Sequence, residues 1–192
     1  MDIRIEGNTI IIRKLKRSDA QSIFQHAKHS DIARYTMVPH PYKLKDAEDF
    51  IKITHRKICK KESCELGIEL KEIGHCELGI ELKEIGQIIG MVGLMNIDYK
   101  NKNAEIGYWL GKEYWGKKIM KEAIFLILGF GFKQLKLVRI YARVMHPNIA
   151  SAGLLEKQGF KYEGRLRKAT LREDKWMDEL RYSILSNEFK FK

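Results

Sequence analysis

The chain has 192 residues, 44% of them hydrophobic and 32% charged, and a formal net charge of +11. That length builds one well-buried domain and excludes two ordinary ones, and the composition is that of a globular protein. The charge favours anionic partners, but no Lys/Arg block with interleaved aromatics appears, which argues against a nucleic-acid surface.

Met1-Asp2 is not followed by a basic and then an apolar stretch, and the longest apolar run, Ala123 to Phe132, is too short to span a bilayer. The expectation is a cytoplasmic protein with no membrane partner. Cys59, Cys64 and Cys76 give neither a disulfide framework nor close metal spacing, so no metal is expected.

In chain order, Thr9 to Lys14 reads as a first strand, and Ser18 or Asp19 caps a short helix with Ile23, Phe24 and Ala27 on one face. His26, His29 and His40 read as surface or loop residues, with no cysteine or acidic partners beside them. Asp31 to Tyr42 carries Pro39 and Pro41 and reads as a turn-rich connection. Asp46 to Lys60 is amphipathic, with Ala47, Phe50, Ile51 and Ile58 on its apolar face and acidic residues in its first turn.

Cys64 to Gly74, CELGIELKEIG, then recurs letter for letter as Cys76 to Gly86, a tandem duplication of a twelve-residue unit over 63–86. Two copies are too few for a solenoid. Each alternates apolar residues with glutamate and glycine as a half-buried strand does, and because twelve is even, either copy could fill one sheet position with the same face inward. The second copy adjoins the next strand and is expected to form the hairpin. The first is expected to be a loop, an extra edge strand or an exchange arm, open to trypsin near Lys71.

Ile88 to Ile97 reads as a buried strand and Ala104 to Leu110 as the central one. The loop Gly111 to Lys117 then leads into a helix starting near Lys118, with Lys112, Lys117, Lys118 and Lys121 beside it. Free N–H groups and the positive end of the helix dipole make that start an anion site, suited to a phosphate-bearing ligand. From Ile119 to Phe132 the helix is apolar nearly all round, as one packed between a sheet and other elements would be.

Leu137 to Met145 is a further strand. Asn148 can cap the helix that follows, LLEKQGF from Leu154 to Phe160, and Ser151 lies near its start. Lys161 to Leu171 and Trp176 to Leu185 should form a hairpin, and Asn187 to Lys192 a frayed tail.

Two blocks carry a family resemblance. Tyr108-Trp109-Leu110-Gly111 with Trp115-Gly116-Lys117-Lys118-Ile119-Met120-Lys121-Glu122-Ala123 resembles the acetyl-CoA loop of the GNAT superfamily of N-acetyltransferases. Asn148-Ile149-Ala150-Ser151, followed by Leu155-Glu156-Lys157-Gln158-Gly159-Phe160, resembles that family's Asn-x-x-Ser and Leu-Glu-Lys-x-Gly-Phe patterns. The nearest branch is that of the ribosomal-protein N-terminal (alanine) acetyltransferases.

The resemblance implies one α+β GNAT domain over about 9–185, with 186–192 as its tail. Its mixed, twisted sheet would have six to seven strands and about four flanking helices, and its two central strands would splay into a V. It implies acetyl-CoA as cosubstrate, held by Tyr108, Trp109, Leu110, Trp115, Gly116, Lys117, Lys118, Ile119, Met120, Lys121, Asn148 and Ser151. Lys118 stands where the family's Gln/Arg-x-x-Gly-x-Gly/Ala pattern has glycine, adding both bulk and charge.

Glu105 would serve as general base, and the Ser151 hydroxyl would meet the departing thiolate. Leu155 replaces the tyrosine acid of many relatives. Tyr35, Tyr42 and Glu105 would border the acceptor. The activity implied is acetyl transfer to a primary amine by direct attack, foremost a protein N-terminal amine. Alternatives are a polyamine, amino sugar or antibiotic acceptor, a non-catalytic CoA-binding protein, and a basic nucleic-acid-binding module. A homodimer stays open.

Overall fold

The computed structural model of the protein describes residues 3–71, 86–172 and 174–191. Along the chain, β1 (Arg4–Glu6) and β2 (Ile10–Arg13) lead through a 3-10 turn at Arg17–Asp19 into α1 (Ala20–Ala27), α2 (Ser30–Ala33) and α3 (Leu44–Cys59). β3 (Cys64–Leu70), β4 (Ile88–Asp98) and β5 (Asn103–Leu110) follow, then a 3-10 turn at Lys112–Tyr114 and α4 (Ile119–Lys133). β6 (Arg139–Met145), α5 (Ile149–Lys157), β7 (Lys161–Arg172) and β8 (Lys175–Leu185) complete the chain.

The strands make one mixed sheet in the order β1-β2-β3-β4-β5-β6-β8-β7. Every pairing is antiparallel except β5 with β6. This is the α+β architecture expected, with eight strands and five α-helices among the described residues. The surplus is small and physical: β1 is too short to show an alternation, and α2 is a single turn inside the stretch whose prolines argue against helix. No helix among the described residues is long and apolar enough to cross a membrane.

Alternation along the central strands divides the core between the two faces of the sheet. Ile106 and Leu110 of β5 and Ile140, Ala142 and Val144 of β6 pack with Ile124, Ile127 and Leu128 of α4. On the other face Met91 packs with Ile23 of α1 and Ala47 and Ile51 of α3, and Trp109 leans on that cluster. α4 has to be apolar nearly all round because β4 and β2 lie on one side of it and α5 and the chain end on others.

Several expectations are corrected. The first copy of the duplication is β3 itself, seated between β2 and β4 with Ile68 opposite Ile12 and Leu66 opposite Val92. Of the second copy, only Gly86 falls among the described residues. Since the two copies carry the same side chains, the connection decides. β3 starts just after α3 ends, and Ile97 N–H donates to Glu62 O at 3.1 Å within that short link, drawing Cys64 directly alongside β4. Lys71 is therefore not the open tryptic site of a looped first copy: its N–H donates to Thr9 O at 2.9 Å and its ammonium lies 3.2 Å from Glu6.

The helix after β6 begins at Ile149, not Leu154, because Asn148 caps it. Asp19 makes no capping bond to α1, its carboxylate being taken by Arg13 and by the Lys16 N–H. The tail is not frayed at Phe189, which is buried against Phe125 and Phe132.

The duplication yields a direct prediction. Deleting residues 75–86 leaves the residues of β3 in place, sets Gly74 before Gln87 where Gly86 now accepts from Arg13 Nη2, and shortens the connection to β4, now the seventeen positions Lys71 to Gln87, to five. Loop closure then costs less by about 1 kcal/mol. The shortened chain should melt roughly 2–4 °C higher; a lower melting temperature in a calorimetric scan would show that the insert contributes contacts of its own.

Candidate active site

β5 and β6 pair only at Asn103 with Arg139, Ala104 with Ile140 and Glu105 with Tyr141. Beyond Glu105 they part, while β5 stays paired to β4 as far as Leu110 and β6 to β8 as far as Met145. The result is the V-shaped opening expected between the central strands. A cavity of about 1880 Å³ passes through it. Every residue predicted from the sequence to belong to the site lines this cavity except Lys112 and Lys117, the latter with its ammonium over the Tyr114 ring.

On the α4 side, the loop after β5 is shaped by its backbone. Trp115, although half exposed, donates its indole N–H to Leu110 O at 2.7 Å and closes the loop on the strand end. Gly116 has φ +77° and Lys118 φ +63°, ψ +1°, so the chain turns twice through the left-handed region before α4 begins. None of the N–H groups from Gly116 to Lys121 donates to a described protein acceptor. Successive free amides in such turns form an anion-binding nest, reinforced here by a helix start and the charges of Lys118 and Lys121. Nothing lies within 4 Å of where a Cβ on Gly116 would point, so an anion has room to approach. The loop thus fits a diphosphate. Lys112 takes no part, being 2.6 Å from Asp31 of α2, which it ties to the loop.

A lysine held in the left-handed region costs roughly 1 kcal/mol relative to glycine. Lys118→Gly should therefore raise the unfolding free energy by about that amount. An unchanged or lowered urea midpoint would mean that the lysine side chain makes a compensating contact.

Opposite this loop, Asn148 Oδ1 accepts the Ser151 N–H at 3.1 Å and fixes the first turn of α5. Ser151 Oγ lies 2.8 Å from the Tyr108 hydroxyl, so the two side chains bridge the mouth of the V from β5 to α5. Burial pushes the Tyr108 phenol up to about 12, against the opposing pull of the Ser151 hydrogen bond. Leu155 is fully buried and offers no polar atom. Gln158 donates to Lys121 O, fastening the end of α5 to the start of α4.

On the α1 and α3 side, Tyr35, Met37, Val38, Tyr42, Phe50 and Ile53 wall the cavity. Burial, followed by the Asp46 carboxylate, pushes the Tyr42 hydroxyl up to about 12, so it stays protonated. Glu105 lies at the vertex on this face, 5% exposed. Its Oε1 accepts Arg143 Nε–H at 2.7 Å and its Oε2 accepts Asn96 Nδ2–H at 3.1 Å. Arg143 also reaches Glu179 at 3.9 Å, and that carboxylate accepts the Thr170 hydroxyl and lies 2.8 Å from Arg181.

The sequence reading missed this network. Arg143 alternates with Ala142 and Val144, a pattern that reads as a solvent-facing arginine; the informative signal is a carboxylate on the neighbouring strand, opposite Tyr141 and so one side-chain repeat from Arg143. The expectation that His26 is a surface or loop residue is also corrected: it lies in α1, buried beneath the Lys112–Tyr114 turn, edge-on to Tyr114 with ring centroids 5.6 Å apart and Nδ1 3.5 Å from Glu113. Its spacing from Ile23 on α1 would have revealed it.

A diphosphate cradle at a helix start, a slot between splayed strands and a hydroxyl pair at its mouth suit an acyl-CoA thioester presented to a nucleophile across the sheet. The family model described as the acetyltransferase (GNAT) domain matches residues 9–161. The chain belongs to the GNAT family of acetyl-CoA-dependent N-acetyltransferases.

It is 30% identical over 180 residues to the uncharacterized N-acetyltransferase p20 of Bacillus licheniformis, covering 94% of each chain. The fold is that of the ribosomal-protein-S5-alanine acetyltransferase from Vibrio fischeri, with TM-score 0.81, 24% identity and coverage of 99% and 100% of the two chains. It is also that of the spermidine N-acetyltransferase from Vibrio cholerae solved with CoA and spermine, with TM-score 0.77, 23% identity and coverage of 95% and 98%.

Proposed function

We propose that this N-acetyltransferase acts on the N-terminal amine of a protein, in the manner of a ribosomal-protein acetyltransferase. The observation that carries this reading is the chemistry of the acceptor half of the cleft. Its walls are aromatic and aliphatic, and its carboxylates are engaged within the protein. Asp46 accepts the Lys43 N–H at 2.7 Å, Asp49 pairs with Lys52 at 2.9 Å, Glu65 accepts the Ser63 hydroxyl at 3.0 Å and Glu105 is held by Arg143. A polycation needs a row of unpaired carboxylates, whereas a peptide terminus needs one amine position and apolar room for its first side chains. The net charge of +11 also disfavours a polycation.

In this reading Gly116 to Lys121 hold the diphosphate of acetyl-CoA, which supplies the acetyl group as a thioester. The acceptor reaches the V from the α1 and α3 face. With both Glu105 oxygens already accepting hydrogen bonds, the ammonium proton passes to Glu105 through water. The neutral nitrogen attacks, and β5 N–H groups freed by the splay polarise the carbonyl. The Ser151 hydroxyl meets the sulfur as it takes the C–S bonding pair.

A second reading, acetylation of a small polyamine, has one observation in its favour: Asp46, Asp49, Glu62, Glu65, Glu105 and Glu179 all line the cavity. Thiol release from acetyl-CoA, measured with peptides beginning in alanine or serine and with spermidine, separates the two. At least tenfold higher kcat/KM with a peptide is expected. The reverse ranking would replace the protein acceptor by a polyamine, and acetyl-CoA binding without release to any amine would leave a non-catalytic CoA-binding protein.

A further inference from the structure

We propose that Tyr108 is a positioning residue that sets the direction of the Ser151 hydroxyl proton, so that Ser151 presents it to the sulfur of the leaving CoA. This rests on the reading that Ser151 meets that sulfur, and it assigns a role to a residue on the opposite side of the V.

The geometry is a 2.8 Å contact between two hydroxyls in which either oxygen could donate. Chemistry decides the direction. A phenol is the stronger donor and the weaker acceptor of the two, and this one stays protonated because burial pushes it up to about 12. Tyr108 therefore donates to Ser151 Oγ, and the Ser151 proton is left free to turn into the slot. The backbone of Ser151 is held in place beside the slot, its N–H donating to Asn148 Oδ1 at 3.1 Å. Donation into Oγ polarises the serine O–H, as in any chain of cooperative hydrogen bonds. The need arises because Leu155 supplies no hydroxyl from α5.

The magnitudes say what the pair does. A thiol titrates near 8.5 in water, well below the Tyr108 phenol, so full proton transfer from tyrosine through serine to sulfur runs uphill. Ser151, polarised by Tyr108, instead donates a hydrogen bond to the thiolate. The sulfur leaves with the C–S electron pair, the acetyl carbon keeps the new bond to nitrogen, the nitrogen loses its proton to water, and the thiolate is protonated by water after departure.

The test needs only CoA and the protein. The ultraviolet absorbance of the thiolate, followed against pH in saturating CoA, gives the titration midpoint of the bound thiol. Hydrogen bonds to the sulfur stabilise the thiolate, so Ser151→Ala and Tyr108→Phe should each move that midpoint upward. The thiolate-to-thiol ratio at a given pH should fall about three- to tenfold, roughly 0.7–1.4 kcal/mol. The double variant should go no further than Ser151→Ala alone, because Tyr108 acts through Ser151. CoA affinity is measured beside it by calorimetry, so that each midpoint is read with the site saturated.

A shift with Ser151→Ala and none with Tyr108→Phe would overturn the role of Tyr108 while keeping that of Ser151. No shift with Ser151→Ala would remove the reading beneath it. Loss of CoA binding in Tyr108→Phe would also overturn the proposal, by making the phenol a direct binding contact.

Discussion

Replacing Arg13 by alanine is expected to cost about 4 kcal/mol of stability, the largest loss of any single change considered. Arg13 is 5% exposed, and all five of its side-chain N–H donors have partners. Nε donates to Glu69 of β3, Nη1 to Asp19 at 2.8 Å and to Lys14 O at 3.1 Å, and Nη2 to Asp19 at 3.0 Å and to Gly86 O at 3.2 Å. Burial alone would lower its affinity for the proton, but the bonds to Asp19 and Glu69 raise it overall, so the guanidinium is charged at any working pH. Alanine would strand two carboxylates in the interior and release the strand that the first copy of the duplication supplies. Urea unfolding should report the loss directly. A change under about 1 kcal/mol would mean that water reaches Asp19 and Glu69 readily, and that the buried ion pair is only apparent.

The second large effect falls on the active site. Arg143→Ala should cost about 3 kcal/mol, toward the low end for breaking a buried pair because 41% of the arginine side chain is exposed. It leaves Glu105, at the vertex of the V, with Asn96 alone, and removes the cation between Glu105 and Glu179. Activity should fall with stability, since the opening of the slot is set at that vertex. The control is Glu105→Gln in the Arg143→Ala background. A neutral amide no longer needs the guanidinium, so the double variant should recover at least half of the lost stability. Strictly additive losses would show that the two side chains are not coupled and that Arg143 acts through its other contacts.

Both predictions concern groups that the sequence hid. The central strand, the lysine-rich turn and α4 were legible because alternation, a glycine-bearing loop and a long apolar helix each obey a local rule. Asn148 was legible for the same reason, as a cap is defined within one turn. Arg13, Arg143 and Glu179 were not. Arg13 follows three isoleucines at the end of β2 and reads as its polar terminus, while Arg143, between apolar neighbours, and Glu179, beside another acid, read as a solvated face; only the pairing of distant strands shows that these positions are covered. The choice between the two copies of the duplicated unit could not be read from their identical side chains; it turns on the short link between α3 and β3, a matter of position and not of composition. The burial of His26 was visible in helical spacing and was overlooked for want of a polar partner. Phe189 could not be anticipated, since its partners Phe125 and Phe132 are more than fifty residues away.

The loop from Gly116 to Lys121 carries the central claim, that this cleft takes acetyl-CoA by its diphosphate although lysine stands at the N-cap of α4. Calorimetric titration of the unmodified chain with acetyl-CoA tests it most directly. Micromolar or tighter binding, on the order of 8 kcal/mol, is the predicted result. An absence of heat at millimolar acetyl-CoA, with binding restored in Lys118→Gly, would contradict it and would mean that the lysine closes the cradle.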